Sequence, residues 1–572
     1  MRSFPVRLAC ASLAVLAAAT AVVPAAAAQS SGTLPDSLAR RVEQIFAPYH
    51  NVDSPGCALG IYRDGEIAYA QGFGMANLEH GIPITRSTVF DIGSTSKQFT
   101  AMAIALLARD GTLSLDDDVR KWIPEMPAYT RPVTIRQMVH HTSGVRDYLA
   151  LMALQGTNFD GVTTDSDALS VIARQRQTNF EPGSEHLYSN SGYFLLGEVV
   201  KRASGKTLRA FAEERIFAPL GMRSTHFHDD HTMIVPKRAT GYAPRSGARS
   251  EGFRIDMSGF EQTGDGAVLT TVEDLLLWDR NFYEPTVGDS AVLAMMHLTG
   301  TLTNSTTLVY AMGLMVEEHR GLRTVRHGGS WAGYRADLLR FPDQRTSIAC
   351  LCNVASADPN SLADRVAEVV LAGAYKTASP VASAPRGRAG SSTASPSAPE
   401  MAALAGAYRN PATEAVLRIS VRDGKLIVEQ GGGLELVALD RNRFRVGELP
   451  VELAFEPARP GTPRRFRRLA PGVPGQSYEA FRTPTLSPAK LAEYLGSYYS
   501  EELDVSYFVS VTGGTLTLRF RNGRAFELQP TVTDTFQTDE GATVRFTRDG
   551  AGRVTGGLIN AGRVRGIELV RR

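Results

Sequence analysis

Ser94 and Lys97, in Asp91-Ile92-Gly93-Ser94-Thr95-Ser96-Lys97-Gln98-Phe99, set a hydroxyl and an amine three residues apart. Phe99, Met102, Ala103, Leu106 and Leu107 then recur at helical spacing, which predicts one buried face of a helix starting at this pair. On the first turn of that helix both side chains project to the same side. The amine can take the hydroxyl proton, and the unpaired N–H groups of a helix start can hold an oxyanion. A lone S-x-x-K also describes many ordinary capped helices, so the chemistry needs partners elsewhere in the chain.

Two clusters supply them. Tyr188-Ser189-Asn190 follows Glu181-Pro182-Gly183 and precedes a helical run. A phenol beside a cation can lose its proton near neutral pH and serve as base for Ser94, then as acid to a leaving group. Asn190 can offer its amide to a substrate carbonyl; read structurally, it is a helix cap. In Arg326-His327-Gly328-Gly329-Ser330 the glycines would let a substrate lie along a strand. The Ser330 N–H would be a second oxyanion donor beside that of Ser94, and His327 would face the site, partly charged near neutral pH.

The elements that must carry these groups are legible. Residues 57–62 and 66–70 alternate around Arg63-Asp64-Gly65, a hairpin with an Asp-Gly turn. Helices are expected over 115–123, 134–139 and 191–203, the last stopped by Gly205. Strands return at 322–326, 335–341 and 346–352, with Pro342-Asp343-Gln344 as a turn. Strands from both ends around a helical middle predict an α+β domain, an antiparallel sheet flanked by helices, over residues 34–376.

With the three clusters in this order, the domain resembles the serine β-lactamase and penicillin-binding superfamily. The class C-like branch, with its D-aminopeptidases, D-alanyl-D-alanine carboxypeptidases and esterases, is the nearest in pattern. Its motifs S-x-x-K, Y-x-N and K-T-G or H-x-G match Ser94–Lys97, Tyr188–Asn190 and His327–Gly329. His141-Thr142-Ser143-Gly144, Pro219-Leu220-Gly221-Met222 and Gly264-Asp265-Gly266 add family-like runs. The resemblance implies a transpeptidase-like fold and a Ser94 acyl-enzyme. Ser94, Lys97 and Tyr188 would be catalytic, and Asn190, His327, Gly329 and Ser330 would bind substrate. It implies small peptide, amide or ester substrates, D-amino-acid peptides among them, with no cofactor. The β-lactamases of this branch carry lysine where this chain has His327, which argues against strong β-lactamase activity. An esterase, a weak β-lactamase and a penicillin-binding sensor without turnover are the alternative readings.

Arg2 and Arg7, an apolar run over 8–23 and the small residues through Ala28 have the parts of a secretory signal peptide, cut after Ala28. The expected product is periplasmic or secreted, with no membrane span after the signal is removed. A net charge of +2 favours neither nucleic acid nor an anionic membrane as partner. Cys57, Cys350 and Cys352 remain after cleavage and read as buried, free and inert. His228-Asp229-Asp230-His231 lacks a spaced partner, so no metal is expected. No G-x-S-x-G elbow is present, which disfavours an α/β-hydrolase.

Residues 377–399, rich in Ala, Ser, Pro, Gly and Arg, read as a flexible linker. Beyond it strand patterns dominate and repeat. Ala405-Gly406-Ala407-Tyr408 matches Leu495-Gly496-Ser497-Tyr498, and Gly424 matches Gly514. Two barrel-like units are expected, over 400–485 and 486–572. They resemble the lipocalin-like domains appended to D-aminopeptidase-type members of the superfamily, which can reach over the active site and restrict substrate size; a spacer or stability module is the alternative reading.

Overall fold

The computed structural model describes residues 33–245, 251–376, 396–429, 433–447, 449, 451–459, 461–470, 473–520 and 522–572. The signal-peptide segment and residues 377–395 of the expected linker lie outside the described residues. The last residues assigned to that linker are structured. Ser397 and Glu400 form a reciprocal capping box on the helix Ala398–Leu404, so the second half of the chain starts from a fixed helix.

The first domain uses helices α1 (Asp36–Phe46), α2 (Lys97–Arg109), α3 (Ile135–Val139), α4 (Tyr148–Gln155), α5 (Asn190–Ser204) and α6 (Pro359–Val370). Its main strands are β1 (Cys57–Arg63), β2 (Glu66–Phe73), β3 (Met315–His319), β4 (Leu322–Trp331), β5 (Tyr334–Phe341) and β6 (Thr346–Cys352). They form one six-stranded antiparallel sheet in the order β3-β4-β5-β6-β1-β2. Both chain ends of the domain contribute to it, as the strand pattern predicts. Asp64 and Gly65 turn the β1–β2 hairpin with φ of 52° and 79°, the left-handed pair a two-residue turn requires.

The central strands are buried on both faces, and their two-residue period divides two cores. Leu59, Ile61, Ile348 and Cys350 pack with α1 and α6 around Phe46 and Val366. Ala58, Tyr62, Ala349 and Leu351 face the helical lobe. Helix α2 is buried all round from Lys97 to Leu107, not on the single face its periodicity predicts. It runs between α5 and Trp278, whose ring lies 4.6 Å from that of Phe99, and so needs no solvent face. The helix expected over 115–123 is reduced to a single 3-10 turn, Val119–Lys121, capped by Asp118. Asp116 and Asp117 instead anchor Arg136 and Lys121.

One cysteine expectation is overturned. Cys57 and Cys352 are directly opposite on neighbouring β1 and β6 and form a disulfide, leaving Cys350 as the free, buried thiol. The alternation that places all three on the α1/α6 face is visible in the sequence; the strand register that pairs two of them is not.

Each C-terminal repeat is a closed eight-stranded barrel, the first from Gly406 to Phe481 and the second from Gly496 to Arg571. The repeat extends to detail: the hydroxyls of Tyr408 and Tyr498 each donate to the carbonyl four residues back, both at 2.8 Å. The first barrel closes its own core, whereas the core of the second merges with that of the helical lobe. A buried ion pair seals that junction, Arg146 Nη1 to Glu502 Oε1 at 2.6 Å, with side chains 1% and 4% exposed.

Candidate active site

Strand β4 and the turn before α2 are locked together, and this brings the first and third motifs into one site. Ser94 lies in the 3-10 turn Gly93–Ser96 that leads into α2. A β-carbon on Gly329 would sit 1.8 Å from the Ile92 carbonyl oxygen, and one on Gly93 would sit 2.6 Å from the Ser330 nitrogen. Thr95 Oγ1 donates to the His327 carbonyl at 3.1 Å across the same seam. Gly329 is therefore glycine to admit the Ser94 turn, a different reason from the substrate approach its position suggests.

The second motif arrives on the first turn of α5. The Asn190 N–H donates to Asp147 Oδ2 at 2.8 Å, and Ser191 Oγ donates to the Arg146 carbonyl at 2.7 Å while accepting from the Tyr148 N–H at 2.7 Å. Those bonds tie the helix start to the loop before α4. Asn190 Oδ1 accepts from Lys97 Nζ at 3.0 Å, so its NH₂ remains for a substrate carbonyl.

Lys97 Nζ is 3.1 Å from Ser94 Oγ and also donates to the Asp265 carbonyl. It lies 4.9 Å from the centre of the Tyr188 ring. Burial pushes the Lys97 ammonium well below the ordinary amine range, and the carboxylates of Asp265 and Asp147 only partly offset this. The Asp265 carboxyl is pushed up, again by burial. It accepts from the Tyr148 hydroxyl at 3.2 Å.

Tyr188 differs from the sequence expectation. Burial raises its pKa, outweighing the lowering effects of Ser94 and Arg563, so the phenol stays protonated in the free enzyme. Its hydroxyl is enclosed without a well-formed hydrogen bond in this state. The His141 ring holds it from 4.2 Å, and His141 is fixed in turn by the Ser189 N–H donating to its Nδ1 at 3.2 Å. Of the two groups beside Ser94, burial makes the amine, not the phenol, the one suited to accept a proton.

His327 lines the cavity but is not partly charged. Burial lowers its pKa to about 4. Its Nδ1–H donates to the Gly328 carbonyl at 2.6 Å, which leaves Nε2 to accept from the Tyr310 hydroxyl at 2.9 Å. The third motif therefore brings no positive charge to the site at neutral pH.

Ser94, Tyr188, Asn190, His327, Gly329 and Ser330 all line one cavity of about 840 Å³. Val451 and Ala470 of the first barrel and Arg563 of the second also reach it. Arg563 sits at the Gly562-Arg563 turn between β7 (Val554–Ala561) and β8 (Val564–Arg571) of the second barrel, with its guanidinium 4.6 Å from the Tyr188 ring centre. Sequence reasoning missed Arg563, Tyr310, Tyr148 and Asp147, which carry no motif. His141 and Asp265 stood inside noted runs, but nothing there signalled that they flank Tyr188 and Lys97. The His228–His231 run splits: His228 turns inward to Arg238, and His231 pairs with Glu261.

The α+β layers and the Ser94–Lys97 pair define a serine hydrolase of the penicillin-recognising kind. The Beta-lactamase family model matches residues 42–371, and the chain belongs to that family. A second model, Domain of unknown function (DUF3471), matches residues 481–561, most of the second barrel. A D-aminopeptidase from Cereibacter sphaeroides is 26% identical over 464 residues, 80% of this chain and 82% of its own length. A D-aminopeptidase from Brucella anthropi is 31% identical over 305 residues, 53% of this chain and 57% of its own length. Among solved structures, the octameric penicillin-binding protein homologue from Pyrococcus abyssi shares the fold with a TM-score of 0.53 at 21% identity, covering 86% of this chain and 99% of that one.

Proposed function

We propose that this protein is an exported hydrolase that cleaves amide bonds in small D-amino-acid peptides through a Ser94 acyl-enzyme. The observation that carries the reading is the buried Lys97 amine 3.1 Å from Ser94 Oγ, its pKa lowered by burial. As the neutral amine it takes the Ser94 proton while Oγ attacks the substrate carbonyl. The Ser94 and Ser330 N–H groups receive the oxyanion, and the Asn190 amide steadies the acyl side chain. Tyr188, still protonated, gives its proton to the leaving nitrogen and regains one from Lys97. Water then attacks the ester, its proton passing to Lys97, which hands it to Ser94 Oγ as the acid departs.

The D-aminopeptidase relatives support the D-peptide assignment. Export is supported by the signal-like residues 1–28 and by the Cys57–Cys352 disulfide, a bond that persists in oxidising compartments. The uncharged His327 favours peptidase or esterase over β-lactamase chemistry.

The test is release of p-nitroaniline from D- and L-alanine p-nitroanilide, beside p-nitrophenyl butyrate and nitrocefin, with Ser94→Ala as blank. Ser94-dependent cleavage of the D-anilide alone is the expected result. Butyrate cleavage without amide cleavage would make the protein an esterase, and full activity in Ser94→Ala would reject the mechanism. An adduct on Ser94 that never releases product would make it a sensor.

A further inference from the structure

We propose that Arg563, carried into the cavity by the second barrel, is the cation that binds a carboxylate of the substrate on the leaving-group side of the scissile bond. This rests on the hydrolase reading above and names the substrate class within it: short peptides whose leaving residue ends in a free carboxylate.

The third motif leaves a gap in charge, because His327 is neutral and spends both ring nitrogens on Tyr310 and Gly328. The other arginines lining the cavity are held by the protein, though the Arg238 Nε is buried without a partner. Arg238 meets His228 Nε2 at 3.1 Å, and Arg335 donates to the carbonyls of Ala332 and Tyr334. Arg563 is different: its side chain is 44% exposed, and its closest acid is Asp147, Nη1 to Oδ2 at 3.5 Å. Asp147 already accepts from the Asn190 and Ala150 N–H groups. Among the described residues, no other side chain accepts from the Arg563 guanidinium, which leaves most of its fork to the cavity.

The side is set by Tyr188. Arg563 lies against the ring of the residue that hands a proton to the leaving nitrogen, so a carboxylate one carbon from that nitrogen falls within its reach. The hairpin that presents Arg563 is fixed through its main chain. Asn179 Nδ2 donates to the Arg563 carbonyl at 2.8 Å, the Arg565 N–H donates to Asn179 Oδ1 at 2.8 Å, and Arg146 Nη2 donates to the Gly566 carbonyl at 3.2 Å. The side chain can therefore be changed while the hairpin stays docked.

The experiment measures binding without turnover. N-acetyl-D-alanyl-D-alanine and its C-terminal amide are titrated into Ser94→Ala and into Ser94→Ala/Arg563→Gln. The acid is expected to bind Ser94→Ala at least tenfold tighter than the amide, and Arg563→Gln should erase most of that ratio, with Arg563→Lys restoring part of it. An acid that binds no tighter than the amide, or a ratio unmoved by Arg563→Gln, overturns the assignment. Turnover of the same pair by the protein with Ser94 intact tests the hydrolase reading separately. Ser94-dependent cleavage with no Arg563-dependent ratio sinks only this inference; cleavage that persists in Ser94→Ala sinks the mechanism.

Discussion

Gly329 on β4 faces the Ile92 carbonyl so closely that a single added carbon would lie 1.8 Å from that oxygen. The contact sets the separation between the Ser94 turn and the strand that bears Ser330, the two proposed sources of oxyanion donors. Gly329→Ala must push them apart by more than an ångström. A displacement of that size costs roughly 100-fold in rate. The expected outcome is a kcat/KM lowered by about two orders of magnitude in a protein whose far-UV circular dichroism is unchanged. Full activity would show that the seam is softer than its contacts imply.

The pH profile follows from Lys97. The amine must be neutral to accept the Ser94 proton, and burial lowers its pKa. Activity should therefore rise with pH along a limb well below the ordinary lysine titration near about 10.4. Lys97→Arg, which keeps the charge at every accessible pH, should lose at least about 1000-fold in kcat at all pH values. A profile still climbing at the ordinary lysine pKa would count against an amine base.

The junction between the helical lobe and the second barrel depends on Glu502. Glu502→Ala leaves the Arg146 guanidinium, 1% exposed, without its counter-ion. Removing one partner of such a pair costs about 3–5 kcal/mol. Differential scanning calorimetry should show a lowered Tm or a split transition as the barrel detaches. Because the same barrel presents Arg563, the acid-over-amide preference should weaken with it.

The Cys57–Cys352 bond closes a loop with a sequence separation of 295 residues. Mass spectrometry of the unreduced protein lacking residues 1–28 should find one disulfide and one thiol, at Cys350. Cys57→Ser/Cys352→Ser should lose about 2–5 kcal/mol of stability in denaturant titration. Finding all three residues alkylated before reduction would remove the bond from the account.

The sequence by itself determined the family and the local elements. S-x-x-K before a helical period, Tyr-x-Asn before another and His-Gly-Gly on a strand name the three motifs that line one cavity. Asp64-Gly65 fixes a hairpin because few residues tolerate its backbone angles, and the ninety-residue offset of Gly424 and Gly514 announces paired barrels. These are short-range facts, written in spacing and residue type.

Only the tertiary structure decided protonation and assembly, because both depend on what distant segments bury. The amine keeps the role the sequence suggested and the phenol loses part of its own: burial acts in opposite directions on their pKa values, disfavouring the charged form of each, so Tyr188 stays protonated. His327 looks titratable until Tyr310 and the strand enclose it. The disulfide depends on a register between strands at opposite ends of the first domain. Arg563, in a two-residue turn with no motif, becomes part of the active site only because the Arg146–Glu502 pair and the merged core dock its barrel on the helical lobe.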